Sequence, residues 1–278
     1  MAKGFEGWYY KHQKDGRTLS LIPGRSQEGA FLQVITDSAS FFVPYPASAY
    51  RRHGKSVKVG GSAFSPDGVR LDIDAPGLRL TGSLAYANIT PPVGDVMGPF
   101  RYLSMQCRHT VASLYHQTSG NVRLNDENLS FGGGVGYIEG DSGRSFPDEY
   151  AWLHCNAFPE KASVMISVAT IPFFGFRFTG CIALVWYEGR EYRLATYSGV
   201  HVETMTQHQI VLSQGNLRLL ADIHPSDGQP LLAPTRGRMS RTIHESAAVH
   251  ARIRFYVDGK QHFDLKSPYA GFEWAWEM

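Results

Sequence analysis

Carboxylates and polar aromatic side chains are concentrated near the middle of the chain, between residues 136 and 158. Glu139 and Asp141 lie two positions apart, so on an extended strand both carboxyl groups point to the same face. A carboxylic acid kept partly protonated in an apolar pocket can donate a proton at neutral pH. The spacing therefore predicts a pair of carboxyl groups that could supply a catalytic acid.

A row of aromatic and polar side chains follows this acidic pair. In an extended conformation Tyr150, Trp152 and His154 share one face of a strand. A row of polar-tipped aromatic side chains suits a lined pocket better than a plain core. We therefore interpret the segment as part of a concave site.

The N-terminal segment adds a further acid, Glu6, close to Trp8 and Tyr10. Aromatic faces stabilise a developing cation by cation–π attraction. Together with Tyr137 and Trp152, these residues would supply both an acid and a shelter for a cation. A structural alternative stays open for each residue, in which the acids cap turns or pair with arginines and the aromatic rings fill two barrel cores.

Composition bounds the class of protein. The 278 residues are 43% hydrophobic and 13% aromatic, and they carry a net charge of +2, with the basic residues scattered apart from a short run at 51–55. This balance predicts a globular protein without a nucleic-acid partner. Three cysteines without paired spacing argue against a disulfide framework, and the N-terminus lacks the apolar stretch of a signal peptide. We expect a cytoplasmic protein.

Other chemical motifs are weak. The chain has no GxSxG motif, and the glycines at 132–136 lack the order of a dinucleotide-binding loop. Histidines with nearby acids or thiols are alternative metal ligands, and they are Cys107, His109, His201, Glu203 and His208. Because three or four ligands would have to converge from separate strands, we expect no metal.

The hydrophobic pattern predicts an all-β fold. Alternation of apolar and polar residues is clear at 69–73 and 78–84, and turn signals such as Asp15-Gly16, Asp67-Gly68 and Asp258-Gly259 recur along the chain. At this length, two antiparallel β-barrels are favoured over one. We expect the first barrel at residues 1–128 and the second at 129–278, with few short helices, one of them at about 240–249.

Several segments resemble the tocopherol cyclase family. Phe5–Lys11, read as FEGWYYK, is similar to the family's opening signature. Phe146-Pro147 and the following Tyr150–Phe158 resemble its FP…W-x-x-C-N-x-F block. Gln229–Thr235 is similar to its PL-x-APT segment, and Lys266–Ala270 lies where the family closes with a similar tail. These landmarks occur in the family's order over nearly the whole chain.

The resemblance implies a fold of two lipocalin-like β-barrels packed together, related to carotenoid hydratases. It also implies an intramolecular cyclase or isomerase that uses acid chemistry and no cofactor. A quinol with a prenyl tail would be protonated at an alkene, and a phenolic oxygen would trap the cation to close a ring. The chain departs from the family at Asp141–Ser145, where the plant enzymes carry a tryptophan and glycines.

The residues chosen above fit that scheme. The expected catalytic residues are Asp141, Glu139, His154 and Glu6, and the expected substrate-binding residues are Trp8, Tyr10, Tyr137, Tyr150 and Trp152. In this scheme Asp141 or Glu139 is the acid, and His154 orients a group or relays a proton. The alternative is a lipocalin-like carrier that binds a hydrophobic small molecule without catalysis. Either protein would take an apolar partner and could contact a membrane surface to reach it.

Overall fold

Antiparallel β-strands make up most of the computed structural model, which describes residues 4–173 and 175–276. The expected tight turns are present: Asp15 and Gly16, and likewise Asp258 and Gly259, have positive φ angles, as two-residue hairpins with type I′ turns require. The all-β prediction is therefore confirmed. Helical structure in the described residues is limited to three short 3₁₀ helices, at Ala47–Ala49, Gly98–Tyr102 and Thr196–Ser198.

The first sheet contains twelve strands among the described residues. Its strands are β1 (Phe5–Lys14), β2 (Arg17–Ser26), β3 (Gly29–Thr36), β4 (Ser40–Tyr45), β5 (Tyr50–His53), β6 (Ser56–Val59), β7 (Ser62–Ser65), β8 (Gly68–Ala75), β9 (Leu78–Thr90), β10 (Cys107–Leu124), β11 (Glu127–Ser130) and β12 (Gly134–Gly143). Their order is β4-β3-β2-β1-β12-β10-β9-β8-β7-β6-β5, with β11 paired to β10. The N-terminal strand therefore pairs with a strand about 130 residues later in the chain.

This sheet curls so that its two ends meet. The guanidinium of Arg25, on β2, lies 5.2 Å from the ring centre of Tyr50, on β5. At the other edge, the ring of Tyr45 packs against Gly60, where an added Cβ would come within 2.6 Å of the ring. The interior of the resulting barrel is filled by a core of buried apolar side chains from nearly every strand.

The second sheet contains ten strands among the described residues. They are β13 (Tyr150–Cys155), β14 (Ala162–Phe173), β15 (Phe176–Tyr187), β16 (Arg190–Ala195), β17 (His201–Met205), β18 (Gln209–Gln214), β19 (Leu217–His224), β20 (Gln229–Thr235), β21 (Arg238–Val257) and β22 (Lys260–Trp274). Their order is β16-β15-β14-β13-β22-β21-β19-β18-β17, with β20 paired to β21.

Gln214 links β16, at one edge of the second sheet, to β18, which is next to the strand at the other edge. Its side chain, on β18, accepts a hydrogen bond from the backbone N–H of Ala195 and donates one to the carbonyl of Arg193, both on β16. The strands between these two enclose a second core of buried apolar side chains. Both sheets thus have the lipocalin-like barrel form that the family resemblance implies.

The chain divides into two compact units along lines that differ from a single cut after residue 128. The first unit comprises residues 1–92, 107–146 and 231–242, and the second comprises 93–106, 147–230 and 243–278. Residues 134–143 join the first unit because β12 pairs with both β1 and β10. Residues 231–242 join it through contacts such as the paired hydrogen bonds between the Gln33 amide and the backbone of Leu232.

The prediction of a helix at about 240–249 is wrong, because this segment is part of the long strand β21. Two register shifts, at Ser246/Val249 and at Val249/Ala251, interrupt the pairing of β21 with β22. A bulge breaks the strict alternation of buried and exposed side chains, and the broken pattern imitates a helical period.

The described part of the chain contains no helix that is long and apolar enough to cross a membrane.

Candidate functional site

A cluster of titratable side chains lies on one face of strands β10 and β12 in the first unit. Directly paired residues on antiparallel strands point to the same face of the sheet. His109 pairs with Asp141, and Val111 pairs with Glu139. The register therefore places His109 on the same face as the two carboxyl groups, and the sharing of one face by Glu139 and Asp141 is as the sequence predicts.

Polar contacts of 2.6–3.5 Å connect the members of the cluster. His109 Nδ1 lies 3.1 Å from Asp141 Oδ1, and His109 Nε2 lies 3.4 Å from Glu139 Oε2. The hydroxyl of Tyr137 donates a hydrogen bond of 2.6 Å to Glu139 Oε2. The thiol of Cys107 donates to Asp141 Oδ1 over 3.5 Å. One imidazole is thus held between two carboxylates, each of which has a further donor.

The charge of this cluster is set by the two carboxylates. Burial alone would lower the pKa of His109, but the adjacent Asp141 and Glu139 outweigh burial and raise this pKa to about 9. His109 is therefore an imidazolium at neutral pH, and both of its ring nitrogens carry protons. Its side chain is 12% exposed, and that of Asp141 is 22% exposed. Glu139 is 8% exposed, so Asp141 is the most accessible of these three side chains.

Tyr137 and Cys107, which donate hydrogen bonds to the two carboxylates, are held in their neutral forms. Burial, followed by the charge of Glu139, raises the pKa of Tyr137 well above its ordinary value. Burial, followed by the charge of Asp141, does the same to the Cys107 thiol. Both groups are therefore hydrogen-bond donors at neutral pH, and they fix the orientation of the two carboxylates.

Glu6, Trp8 and Tyr10 lie on the opposite face of the same sheet. Trp8 pairs with Gly140 and Tyr10 pairs with Ile138, whereas Glu139 and Asp141 pair with residues between them. Trp8 and Tyr10 belong to the apolar core of the first barrel. The expectation that these three residues line one site with Glu139 and Asp141 is therefore not met, because neighbouring residues of a strand point to opposite faces.

Glu6 is engaged in ion pairs. One oxygen lies 3.1 Å from Arg25 Nη2, and the other accepts a hydrogen bond from Arg52. Trp8 Nε1 also donates to Glu6, over 3.4 Å. A carboxylate whose oxygens accept from two guanidiniums orients both of them. This arrangement matches the alternative in which the acid pairs with arginines.

Tyr150, Trp152 and His154 lie on β13, in the second unit, and they share one face as predicted. The residues between them, such as Leu153, belong to the apolar core of the second sheet. The ring of Trp152 stacks on that of His154 at 6.1 Å between centroids. His154 Nε2 lies 3.4 Å from the hydroxyl of Ser163. The row is thus a buried aromatic and polar face, opposite to the core.

Two carboxyl groups on this face were not expected from the sequence. The hydroxyl of Tyr150 donates a hydrogen bond of 2.6 Å to Glu273, which pairs in register with Trp152 on one side and with Glu245 on the other. Glu245 is fully buried. One sequence feature could have drawn attention to Glu273, namely the similarity between Phe5-Glu6-Gly7-Trp8 and Phe272-Glu273-Trp274. This similarity does not reveal which strands are neighbours.

The sequence indicates His109 only as an alternative metal ligand with Cys107. The structure instead places it between two carboxylates, where it can take part in proton transfer. Within residues 4–173 and 175–276, no group of three or more histidine, cysteine or acidic side chains is arranged to hold a metal ion. Its position between Glu139 and Asp141 depends on the pairing of β10 with β12, and no local pattern specifies that pairing.

No protein-family model and no curated protein matches the chain. Similar solved structures include CghA, with a TM-score of 0.63 at 10% identity over 99% of this chain and 90% of that one. CghA with Sch210972 gives a TM-score of 0.62 at 10% identity, with 98% and 88% coverage. Kievitone hydratase from Nectria haematococca gives 0.55 at 10% identity, also with 98% and 88% coverage. The chain therefore shares the fold of these proteins over nearly its whole length.

Proposed function

We propose that the protein is an enzyme that adds an O–H group across a carbon–carbon double bond of an apolar substrate. The observation that carries this proposal is the imidazolium of His109 held between the carboxylates of Asp141 and Glu139. The cluster contains a proton donor and a proton acceptor in direct contact. Such a pair is what addition of O–H to a double bond requires.

The reaction needs one proton removed and one delivered. The carboxylate of Asp141 takes the proton from the attacking oxygen, which forms a bond to one alkene carbon. The π electrons of the double bond take the proton from Nδ1 of the His109 imidazolium at the other carbon, because Nδ1 is the nitrogen that Asp141 can protonate again. The proton on Asp141 then returns to His109 across their 3.1 Å contact, which restores the starting state. No external oxidant, reductant or cofactor enters this balance.

The remaining groups set the charges. Glu139 keeps His109 protonated, and the Tyr137 hydroxyl holds Glu139 in place. This assignment differs from the scheme in which Asp141 or Glu139 is itself the acid. In the present assignment His109 delivers the proton, and the two carboxylates accept a proton or stabilise a cation.

The attacking oxygen defines two reactions of the same class. If the oxygen belongs to a phenol of the substrate, the product is a ring, as in the tocopherol cyclase family that the sequence resembles. If it belongs to water, the product is an alcohol, and the similarity in fold to kievitone hydratase supports this variant. We favour a prenylated phenol as substrate. Cytoplasmic localisation and the absence of a nucleic-acid partner stay predictions from the sequence.

The test is turnover of a hydroquinone that carries a short prenyl tail, in D₂O, followed by mass spectrometry. We expect a cyclised or hydrated product with one deuterium on carbon, because His109 exchanges its protons with solvent. Asp141→Asn and His109→Gln should each lower kcat by about 100-fold or more, in line with the usual contribution of general acid–base groups. Glu139→Gln should have a smaller effect, since it acts through His109.

Asp126→Asn is the matched control, because this aspartate is fully exposed on a hairpin of the same unit. It should leave turnover unchanged. Wild-type rates in both Asp141→Asn and His109→Gln would overturn the proposal. Tight binding of the hydroquinone without any turnover would instead identify a carrier.

A further inference from the structure

A second charged cluster lies on the interior-facing side of β1 and consists of Glu6, Arg25 and Arg52. Glu6 is only 6% exposed, whereas the side chains of Arg25 and Arg52 are 48% and 44% exposed. Arg25 donates to Glu6 Oε2 through Nε at 3.2 Å and approaches it through Nη2 at 3.1 Å. Arg52 donates to Glu6 Oε1 through Nη1. A buried carboxylate thus fixes two half-exposed guanidiniums.

The charges of this cluster do not balance. Two guanidiniums share one carboxylate, and no second carboxylate in the described residues pairs with either arginine. The cluster therefore carries one excess positive charge. Two like charges held beside the same carboxylate also repel each other, and a further anion would relieve that repulsion.

Each of the two guanidiniums also lies over an aromatic ring. The guanidinium of Arg25 lies 5.2 Å from the ring centre of Tyr50, and that of Arg52 lies 5.5 Å from the ring of Trp8. Burial, followed by the charge of Glu6, raises the pKa of Tyr50, so its hydroxyl stays protonated. Stacking and ion pairing together restrict the rotamers of both arginines, which lowers the entropy lost when they bind a ligand.

Both guanidiniums keep N–H groups that do not contact Glu6. Arg25 contacts Glu6 through Nε and Nη2, so its Nη1 is not used for Glu6. Arg52 uses Nη1 for Glu6 and Nε for the carbonyl of Gly54, which leaves Nη2. Guanidinium N–H groups match the oxygens of carboxylates and phosphates in spacing and charge.

We propose that Glu6, Arg25 and Arg52 form an oxyanion-binding site that takes a carboxylate or a phosphate group between the two guanidiniums. In this site Glu6 is a positioning residue and the arginines are the ligands. The site is separate from the proposed catalytic cluster, because Glu6 and Asp141 lie on opposite faces of β1 and β12. It does not depend on the proposed reaction.

Isothermal titration calorimetry at low ionic strength tests this proposal with the 278-residue chain. The probes are inorganic phosphate, benzoate and, as a cationic control, benzyltrimethylammonium. We expect saturable binding of at least one of the two anions and none of the cation. Tighter binding of phosphate would identify a phosphorylated ligand, and tighter binding of benzoate would identify a carboxylate.

Variants locate the site. Arg25→Gln and Arg52→Gln should each raise the Kd of the anion by about tenfold, as expected for loss of a charge-assisted contact. Arg70→Gln is the matched control, since this arginine is exposed on β8 of the same sheet, and it should bind like wild type. Arg25→Lys and Arg52→Lys keep the charge and should bind with intermediate affinity, provided that circular dichroism shows each variant folded.

The proposal fails if neither anion binds wild type saturably, or if folded Arg25→Gln and Arg52→Gln bind as wild type does. Turnover of the prenylated hydroquinone should be unchanged in these variants. Anion binding therefore tests the oxyanion site and turnover tests the proposed reaction, so that either proposal can fail without the other.

Discussion

At the scale of single residues, histidines of the same sheet differ in charge at neutral pH. His109 is kept charged by two carboxylates, which raise its pKa to about 9. His12 and His116 are fully buried, and burial lowers their pKa values to about 4 and about 3. His12 Nδ1 donates a hydrogen bond to the carbonyl of Leu19, and His12 Nε2 is hydrogen-bonded to the hydroxyl of Tyr86. Within the described residues no carboxylate pairs with His12 to offset its burial. The surroundings, and not the residue type, decide which histidine can carry a proton.

The buried neutral histidines predict a loss of stability in acid. His12 and His116 bind fewer protons in the folded chain than in the unfolded chain, where the pKa is about 6.5. Each should therefore lower the free energy of unfolding by about 1 kcal/mol per pH unit as the pH falls from about 6.5 towards their folded pKa values. Urea unfolding at pH 6.0 and 5.0 measures this loss.

His116→Gln should remove about half of that pH dependence, whatever its effect on stability at pH 7. His53→Gln, at the exposed end of β5, is the control and should leave the slope as in wild type. A slope that is the same in His116→Gln and wild type would show that His116 titrates normally in the folded chain.

At the scale of elements, β1 shows how far the sequence could be used to place the site. Its period of two places Trp8 and Tyr10 on one face and correctly separates them from Tyr9. Nearly every residue of β1 is buried, however, so no contrast between polar and apolar positions indicates which face forms the barrel core. The partner strand is also hidden, because β12 lies far along the chain. The sequence alone therefore does not show that Glu6 lies on the other face of the sheet from Glu139 and Asp141.

Close packing between β1 and β12 predicts a sensitive glycine. A Cβ added at Gly140, between Glu139 and Asp141, would come within 2.8 Å of the Trp8 ring. Gly140→Ala should therefore destabilise the protein by about 1–3 kcal/mol through overpacking. It should also shift the tryptophan fluorescence, and thermal unfolding together with the emission spectrum measures both effects.

Gly132→Ala is the matched control for this substitution. An added Cβ there would lie 3.8 Å from its nearest neighbour, Ser130 Oγ, which is an ordinary contact. It should change the stability by less than about 0.5 kcal/mol. Equal stability of the two alanine variants would contradict the close packing of Trp8 on Gly140.

At the scale of the whole molecule, the two-barrel architecture could be predicted, but the course of the chain between the two units could not. Alternating strands and hairpin turns are local signals, and they indicate an all-β chain with two cores. The assignment of 93–106 to the second unit and of 231–242 to the first depends on long-range contacts. A segment such as 231–242 reads like any other hairpin, so its partner is invisible to local reasoning.

Closure of the second sheet predicts an unequal effect of two glutamines. Gln214 satisfies the backbone N–H of Ala195 and the carbonyl of Arg193, so Gln214→Ala leaves two backbone groups without partners. This should lower the free energy of unfolding by about 1–3 kcal/mol. The side chain of Gln209 donates to the side chain of Asp222 and to no backbone group of the described residues, so Gln209→Ala should have a smaller effect. Equal losses in urea unfolding would argue against a closing role for Gln214.

The central claim is that Asp141 and Glu139 keep His109 as an imidazolium at neutral pH. NMR titration of the His109 ring carbons measures this directly. We predict a pKa of about 9 in wild type, and a lower pKa in Asp141→Asn and in Glu139→Gln, because each loses a charge that opposes the effect of burial. A wild-type pKa at or below 6.5, the ordinary value for histidine, would contradict the claim and remove the proton donor from the proposed reaction.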